Sequence, residues 1–211
     1  MTDNPPPEIT LAIESAIAGG SLSLLSNESE LDRWSGDDMV SRAEELLPNI
    51  IEMLERQNLD RKMLGRIAVS LGPGSFTGIR IGIATALGLK NSLSIPCVGM
   101  SALEAMAANP NVRGTVIAAL PVGRDLICSQ VFGMSEQGIP SPRSEPAVAK
   151  SVFDDSRSST IIAHSSIVDV IRSQSPDSHV TEADRNLARL IGISATRLGR
   201  ESLEPIFVQP V

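Results

Sequence analysis

Aromatic residues are scarce in this 211-residue chain, which has four Phe, one Trp and no Tyr. Aliphatic side chains must therefore build the core, and 42% hydrophobic residues suffice for one large domain or two small ones. Lysine and arginine are also in deficit, 18 against 25 Asp and Glu, which gives a net charge of −7. This excess of acidic residues argues against a basic surface that binds nucleic acid directly, although a partner protein could bind the RNA instead.

Potential metal ligands are equally few. The two histidines, His164 and His179, are far apart, and the sequence has no His-x-x-x-His or Cys-x-x-Cys pair. Because zinc sites need closely spaced ligands, no metal site is predicted. Cys97 and Cys128 stand in apolar runs with no neighbouring base, which is typical of buried thiols in a reducing cytoplasm.

Targeting and membrane segments are not indicated. The opening residues M-T-D-N-P-P-P-E lack a basic start and an apolar core, so no secretory signal is predicted. The apolar run after Gly78 is too short and too glycine-rich to span a bilayer. We expect a soluble, cytoplasmic protein that does not contact membranes.

Candidate catalytic groups do not form a set. His164 and Ser166 could act as base and nucleophile, but their position between a strand and a helix favours a helix cap, and no G-x-S-x-G elbow accompanies them. No stretch brings together a base, a nucleophile and an oxyanion donor. The sequence therefore predicts no catalytic residue and no cofactor.

The most informative stretch is residues 69–90, V-S-L-G-P-G-S-F-T-G-I-R-I-G-I-A-T-A-L-G-L-K. An apolar strand stops at Gly-Pro-Gly, a strong turn signal, and a helix begins at once behind a Ser or Thr cap. The predicted structural turn consists of Gly72, Pro73, Gly74, Ser75, Phe76, Thr77 and Gly78.

A turn of this kind at a helix N-terminus can hold a phosphate group. However, Ile79 stands where a Walker loop has lysine, and Thr77 stands where a Rossmann loop has its third glycine. The pattern favours a tight strand-to-helix connection over a phosphate cradle.

The helix that follows is apolar on all sides. Arg80 is its only charge before Lys90, and Gly78, Gly82 and Ala86 recur every four residues. Since an interior glycine costs a helix about 1 kcal/mol relative to alanine, this spacing predicts close approach of another backbone. An apolar helix must be covered on every side, and its own sheet can cover only one.

A second amphipathic helix is predicted from Met39 to Gln57, with an apolar stripe wide enough for both the core and a partner. Together the two helices predict a partner interface at Leu47, Ile50, Ile51, Leu54, Ile79, Arg80, Gly82, Ile83, Ala86 and Leu87. Alone, such a surface should self-associate, so we expect a homodimer.

Strands and helices alternate along both halves, which predicts an α/β fold with a mixed sheet in each. We place a boundary between an N-terminal subdomain, 1–108, and a smaller C-terminal one, 109–211. Residues 135–159 are expected to be irregular, and no internal repeat is recognised. Glu14 follows the first strand, where nucleotide-binding proteins of the actin and sugar-kinase type carry a carboxylate, but a lone acidic residue favours a surface loop.

The run G-P-G-S-F-T-G-I-R-I-G-I-A-T-A-L-G-L, with I-P-C-V-G-M-S-A-L-E-A-M-A behind it, resembles the TsaB family, also called YeaZ. This family is the non-catalytic paralogue in the bacterial apparatus that makes N6-threonylcarbamoyladenosine (t6A) at adenosine 37 of tRNA. The likeness is specific from Leu71 to Ala107 and thin over the second half. Glu14 replaces the family's usual Asp, and Phe207-Val208-Gln209 replaces its closing Tyr-x-Arg pattern.

The resemblance implies an actin-like fold of two subdomains. It implies a non-catalytic scaffold that pairs through its first two helices with the catalytic paralogue TsaD and works with the ATPase TsaE. The tRNA would be contacted only through that complex. The alternatives are an actin-like ATP-binding enzyme and an M22-type peptidase acting alone, and the missing catalytic set argues against both.

Overall fold

The computed structural model describes residues 8–17, 19–36, 45–108, 112–152 and 159–209. The strands are Ile9–Glu14 (β1), Ser21–Ser26 (β2), Ser29–Ser35 (β3), Leu64–Ser70 (β4), Cys97–Met100 (β5), Gly114–Pro121 (β6), Ile127–Met134 (β7), Pro140–Pro142 (β8), Ala147–Ala149 (β9), Thr160–Ala163 (β10) and His179–Glu182 (β11). The helices are Leu46–Arg56 (α1), Phe76–Leu93 (α2), Ala102–Ala107 (α3), Val168–Gln174 (α4) and Leu187–Leu198 (α5). The predicted first turns of the Met39 helix, up to residue 44, lie outside the described residues.

The first sheet has the strand order β3-β2-β1-β4-β5. Strands β1, β2 and β3 form an antiparallel ribbon, whereas β4 and β5 run parallel to β1. Side chains alternate across a strand, so Leu11 and Ile13 of β1 face one side of the sheet and Ala12 faces the other. The central strand is therefore covered on both faces.

Helices α1 and α2 cover the same face of this sheet. Ile50 of α1 and Ile79, Ile83 and Ala86 of α2 belong to one core cluster with the apolar side chains of β1, β2 and β4. Helix α5 covers the opposite face, where alanines of the sheet meet Ile191.

The second sheet has the order β11-β10-β6-β7-β8, with β9 also paired to β7. Ile117 and Ala119 of β6 pack with α4 on one face. Val116, Ala118 and Leu120 pack on the other face with α3, which lies between the two sheets. The expected α/β architecture of two mixed sheets is confirmed.

The two sheets repeat one topology. In each, an antiparallel ribbon is followed by two strands that add in parallel on the other side of the first strand. The order β4-α2-β5-α3 in the first half corresponds to β10-α4-β11-α5 in the second. This duplication is not visible as a sequence repeat, because different apolar residues form the equivalent strands and helices of the two halves.

Two expectations about the second half were wrong. Residues 135–159 include two short strands, β8 and β9, and the structure adds β11, which was not predicted. These strands have only three or four residues and lie at sheet edges, and their mostly polar or proline-containing sequences give no clear alternation.

The second half of the chain also packs against the first sheet. Helix α5 packs on the first sheet, and Arg200 exchanges two backbone hydrogen bonds with Gly99 in β5, at 2.7 and 2.9 Å. The two sheets separate near residue 108, while the boundary of independent subdomains there stays a prediction. No helix in the described ranges has both the length and the apolar character that a bilayer crossing requires.

The glycine spacing of α2 is used within the chain. A Cβ atom on Gly78 would overlap the backbone carbonyl of Ser15, and one on Gly82 would overlap the Ser15 hydroxyl. Ser15 Oγ donates a hydrogen bond to the carbonyl oxygen of Gly78 at 2.8 Å. The backbone that approaches α2 closely is therefore the protein's own β1–β2 connection.

We predict opposite effects for two glycine-to-alanine changes in α2. Gly78→Ala should lower the free energy of unfolding by about 2 kcal/mol, because the new methyl group meets rigid backbone. Gly88→Ala should raise it by up to about 1 kcal/mol, because that site is open and alanine favours the helix. Urea unfolding followed by circular dichroism measures both. Equal effects at the two sites would contradict this account of the packing.

Candidate partner-binding surface

The glycine turn connects β4 directly to α2. Gly72 has φ of +96°, a conformation that glycine adopts without strain. The Ser75 side chain accepts a hydrogen bond from the Gly78 N–H at 3.3 Å and so caps α2. The Ser75 N–H donates to the carbonyl oxygen of Ala16 at 2.7 Å.

These contacts engage backbone donors that a phosphate group at this helix N-terminus would need. Two N–H donors of the turn, those of Ser75 and Gly78, already have partners in the chain. Ala16 packs so closely that a Cβ atom on Gly74 would overlap its carbonyl oxygen. The geometry is that of a tight strand-to-helix connection.

Glu14 is buried at the end of β1, with 1% of its surface exposed, so the surface-loop interpretation was wrong. Its Oε1 atom accepts hydrogen bonds from the N–H groups of Ala16 at 2.6 Å and Ile17 at 3.0 Å. Burial raises the pKa of Glu14 to about 7, and the two hydrogen bonds only partly offset that rise. The carboxyl group thus organises the β1–β2 connection that supports α2.

A small cavity lies between the two sheets beside Glu14. Its lining includes His164 and Arg185, and its volume is about 10 Å³. Small-molecule sites enclose roughly 300 to 1,000 Å³, so this cavity has room for little more than a water molecule.

His164 and Ser166 meet, but in a local turn. The Ser166 Oγ lies 2.9 Å from His164 Nδ1, and the Ser166 N–H donates to the same nitrogen at 3.2 Å. His164 is 6% exposed. The imidazole therefore accepts a backbone hydrogen bond at the start of the α4 region, as expected for a structural rather than a catalytic pair.

Other reactive side chains are dispersed. Burial raises the pKa of the Cys97 thiol to about 11 and that of Cys128 to about 12, which disfavours the nucleophilic thiolate. Within the described ranges no three His, Cys, Asp or Glu side chains come together as metal ligands.

The most unusual surface lies on α1 and α2, and we call it the docking face. It consists of the exposed residues Leu47 and Ile51 of α1 and Phe76, Arg80, Ala84 and Leu87 of α2. The large apolar side chains are between 38% and 56% exposed. On each helix these residues are three or four positions apart, so they form a stripe along one side. Both helices thus have two apolar sides, one buried and one facing solvent.

The ten residues of the predicted interface divide between these two sides. Four of them belong to the docking face: Leu47, Ile51, Arg80 and Leu87. The other six are buried within the chain itself: Ile50, Leu54, Ile79, Gly82, Ile83 and Ala86. The six buried residues can influence a partner only through the position of the helices, and contact with a partner stays a prediction.

Sequence reasoning missed two exposed aromatic residues. Phe76 was assigned to the turn, and Phe207 was noted only for its divergence from the family. In the structure their ring centroids are 4.7 Å apart, at an interplanar angle of 35°. No local pattern could pair residues so distant in sequence.

The comparisons with known proteins agree on one family. A family model described as TsaD, tRNA N6-adenosine threonylcarbamoyltransferase, matches residues 40–130. The tRNA threonylcarbamoyladenosine biosynthesis protein TsaB of Buchnera aphidicola subsp. Acyrthosiphon pisum is 35% identical over 99 residues, which cover 47% of this chain and 44% of that protein. Escherichia coli TsaB is 32% identical over 108 residues, which cover 50% and 47%. These matches confirm that the chain resembles the TsaB/YeaZ family.

Each of these matches spans less than half the length of the curated TsaB relative. The structural likeness is more extensive. YeaZ from Pseudomonas aeruginosa has a TM-score of 0.69 at 21% identity, over 95% of this chain and 100% of that one. The family resemblance is confirmed, and so is the expected fold of two mixed sheets with helices, which YeaZ shares over nearly the whole chain. Residues 40–130 include α1, α2 and the glycine turn.

The raised pKa of Glu14 predicts a pH-dependent stability. The unfolded state loses this proton near pH 4.5 and the folded state near pH 7, so the unfolding free energy falls as pH rises through that window. The loss amounts to about 3 kcal/mol. Glu14→Gln keeps an oxygen that can accept both hydrogen bonds and cannot ionise, so the fall should largely disappear.

Urea unfolding at a series of pH values between 4.5 and 8 tests this prediction. Glu28→Gln, in the exposed turn after β2, is the matched control and should behave like the wild type. An unchanged pH dependence in Glu14→Gln would show that this carboxyl group is not responsible.

Proposed function

We propose that this TsaB/YeaZ protein is a non-catalytic scaffold in t6A biosynthesis that pairs with a TsaD-like catalytic subunit through the docking face. The curated relatives are named as t6A biosynthesis proteins, which supports the pathway. Threonylcarbamoyl transfer to adenosine 37 of tRNA would then take place on the partner.

The docking face is the observation that carries this proposal. Leu47 and Ile51 are 50% and 56% exposed on α1, and Leu87 is 38% exposed on α2. Large exposed apolar side chains grouped on neighbouring helices are typical of protein interfaces. Its two helices cover one face of the same sheet, so the partner would meet a rigid platform.

Several features support a scaffold over the ATP-binding or peptidase alternatives. The glycine turn has two of its donors engaged with its own chain, and the cavity beside Glu14 is too small for a nucleotide. The described residues also lack a cluster of potential metal ligands.

The remaining partners follow from the same proposal. A TsaE-like ATPase would join the complex, and the net charge of −7 favours contact with tRNA through the other subunits. Without TsaD, the docking face would drive formation of a homodimer. A role in tRNA modification would place the protein in the cytoplasm.

We predict that a charge on the docking face abolishes pairing. Ile51→Glu and Leu87→Glu should each weaken binding to the TsaD subunit of the same organism by at least tenfold, because each buries a carboxylate in place of an apolar side chain. Isothermal titration calorimetry measures the affinity, and circular dichroism measures folding. Val170→Glu, at a 47% exposed site on α4, is the matched control and should bind normally.

Activity provides the second test. Purified TsaD and TsaE, supplied with tRNA, ATP and a preformed activated threonylcarbamoyl donor, should form t6A only when this protein is added. The docking-face variants should reduce t6A formation and the α4 variant should not. Wild-type protein that neither binds TsaD nor supports t6A formation would refute the proposal.

A further inference from the structure

We infer that Phe207 of the closing segment, residues 200–209, extends the docking face, and that Arg80 beside it binds a carboxylate side chain of the TsaD-like partner. This inference rests on the proposed function. It adds the closing segment, which is distant in sequence, to the surface formed by α1 and α2. It also specifies that the partner presents a carboxylate to Arg80.

Three side chains form the cluster. The rings of Phe76 and Phe207 stack at 4.7 Å between centroids, and the Arg80 guanidinium carbon lies 5.2 Å from the centroid of Phe76. Phe76 is 55% exposed and Phe207 is 48% exposed. The chain has only four Phe, so two adjacent ones at the surface are a large share of its aromatic residues. Phenylalanine and arginine side chains are among the types enriched at protein interfaces.

The closing segment is fixed in place by hydrogen bonds of its backbone. Arg200 pairs with Gly99 of β5, and the Ile206 N–H donates to the carbonyl oxygen of Leu71 at 2.7 Å. The Ile206 carbonyl packs against the glycine turn, where a Cβ atom on Gly72 would come within 2.8 Å of its oxygen. Phe207 is thus held against α2 before any partner binds, which reduces the entropy cost of binding.

Arg80 has no carboxylate within ion-pair distance among the residues that the structure describes. It is also the only charge on α2 before Lys90. If a partner covers the docking face, the guanidinium loses water, and a buried charge without a partner is strongly unfavourable. A carboxylate that meets the guanidinium N–H groups satisfies both charge and hydrogen bonds.

A protein partner fits the surroundings of Arg80 better than RNA does. The neighbours of Arg80 on the docking face are Phe76, Ala84 and Leu87, all apolar. Contacts to a phosphate backbone typically use several cations together, and here the guanidinium stands alone on its side of the helix. The cluster therefore matches an apolar protein surface that carries one acidic residue.

The test is the affinity for TsaD, measured by calorimetry at low and high salt with wild type, Arg80→Met, Arg80→Lys and Phe207→Ala. Arg80→Met should bind at least tenfold more weakly, with a smaller salt dependence, because the partner carboxylate is left unpaired. Arg80→Lys should recover part of the loss, and Phe207→Ala should bind about tenfold more weakly. Arg61→Met removes an exposed cation just before β4, outside the docking face, and should bind as wild type.

Charge reversal identifies the partner residue. Arg80→Glu should abolish binding, and replacing one acidic residue of TsaD by Arg should restore it. If no such replacement restores binding, a carboxylate partner is refuted. Thermal unfolding of each variant should match the wild type, which separates lost recognition from lost folding.

The outcomes separate this inference from the proposed function. Wild-type binding that is unchanged in Arg80→Met and Phe207→Ala overturns the inference and leaves the scaffold role intact. An effect of Arg80→Met that appears only with tRNA present overturns it as well, because the guanidinium then serves the RNA. Wild-type protein that does not bind TsaD refutes the scaffold role and, with it, this inference.

Discussion

The structure depends on the close contact between α2 and the β1–β2 connection. Gly78 and Gly82 have no side chain there, and Ser15 fills the space and hydrogen-bonds to the helix. Ala16 binds the turn in front of the helix through the Ser75 N–H. This contact fixes the rotation of α2 about its own axis. The helical period then places Phe76, Arg80, Ala84 and Leu87 on the outer side, where nothing in the described chain covers them.

The same contact engages backbone donors of the glycine turn with the chain's own β1–β2 connection. Glu14 turns inward to accept hydrogen bonds from the connection behind it, and only about 10 Å³ of cavity remains beside it. The fold is shared with many proteins of other functions, so function must be read from the site. In the described part of the chain, the outer surface of α1 and α2 exposes a stripe of apolar side chains to other molecules.

Strong local patterns were predictive. Strand β4 and helix α2 occur where the apolar run, Gly-Pro-Gly and the serine cap of residues 69–90 indicated them, and α1 lies within the predicted helix from Met39 to Gln57. Ser101 also caps a helix, since its side chain accepts a hydrogen bond from the Glu104 N–H at the start of α3. Short edge strands such as β11 were missed, since pairing with a neighbouring strand stabilises them more than their own sequence does. The burial of Glu14 was missed because it depends on a sheet and loop packed around a single residue.

The sequence by itself determined the resemblance to the TsaB/YeaZ family, the α/β class, the glycine turn and the two helices rich in apolar residues. Local propensity and short-range spacing are sufficient for these features. Only the tertiary structure decided which side of each helix faces the core, so that Ile83 is buried and Leu87 is exposed within one turn of each other. It also decided that Phe207 meets Phe76. Both outcomes depend on contacts between residues far apart in the chain, which a local pattern does not encode.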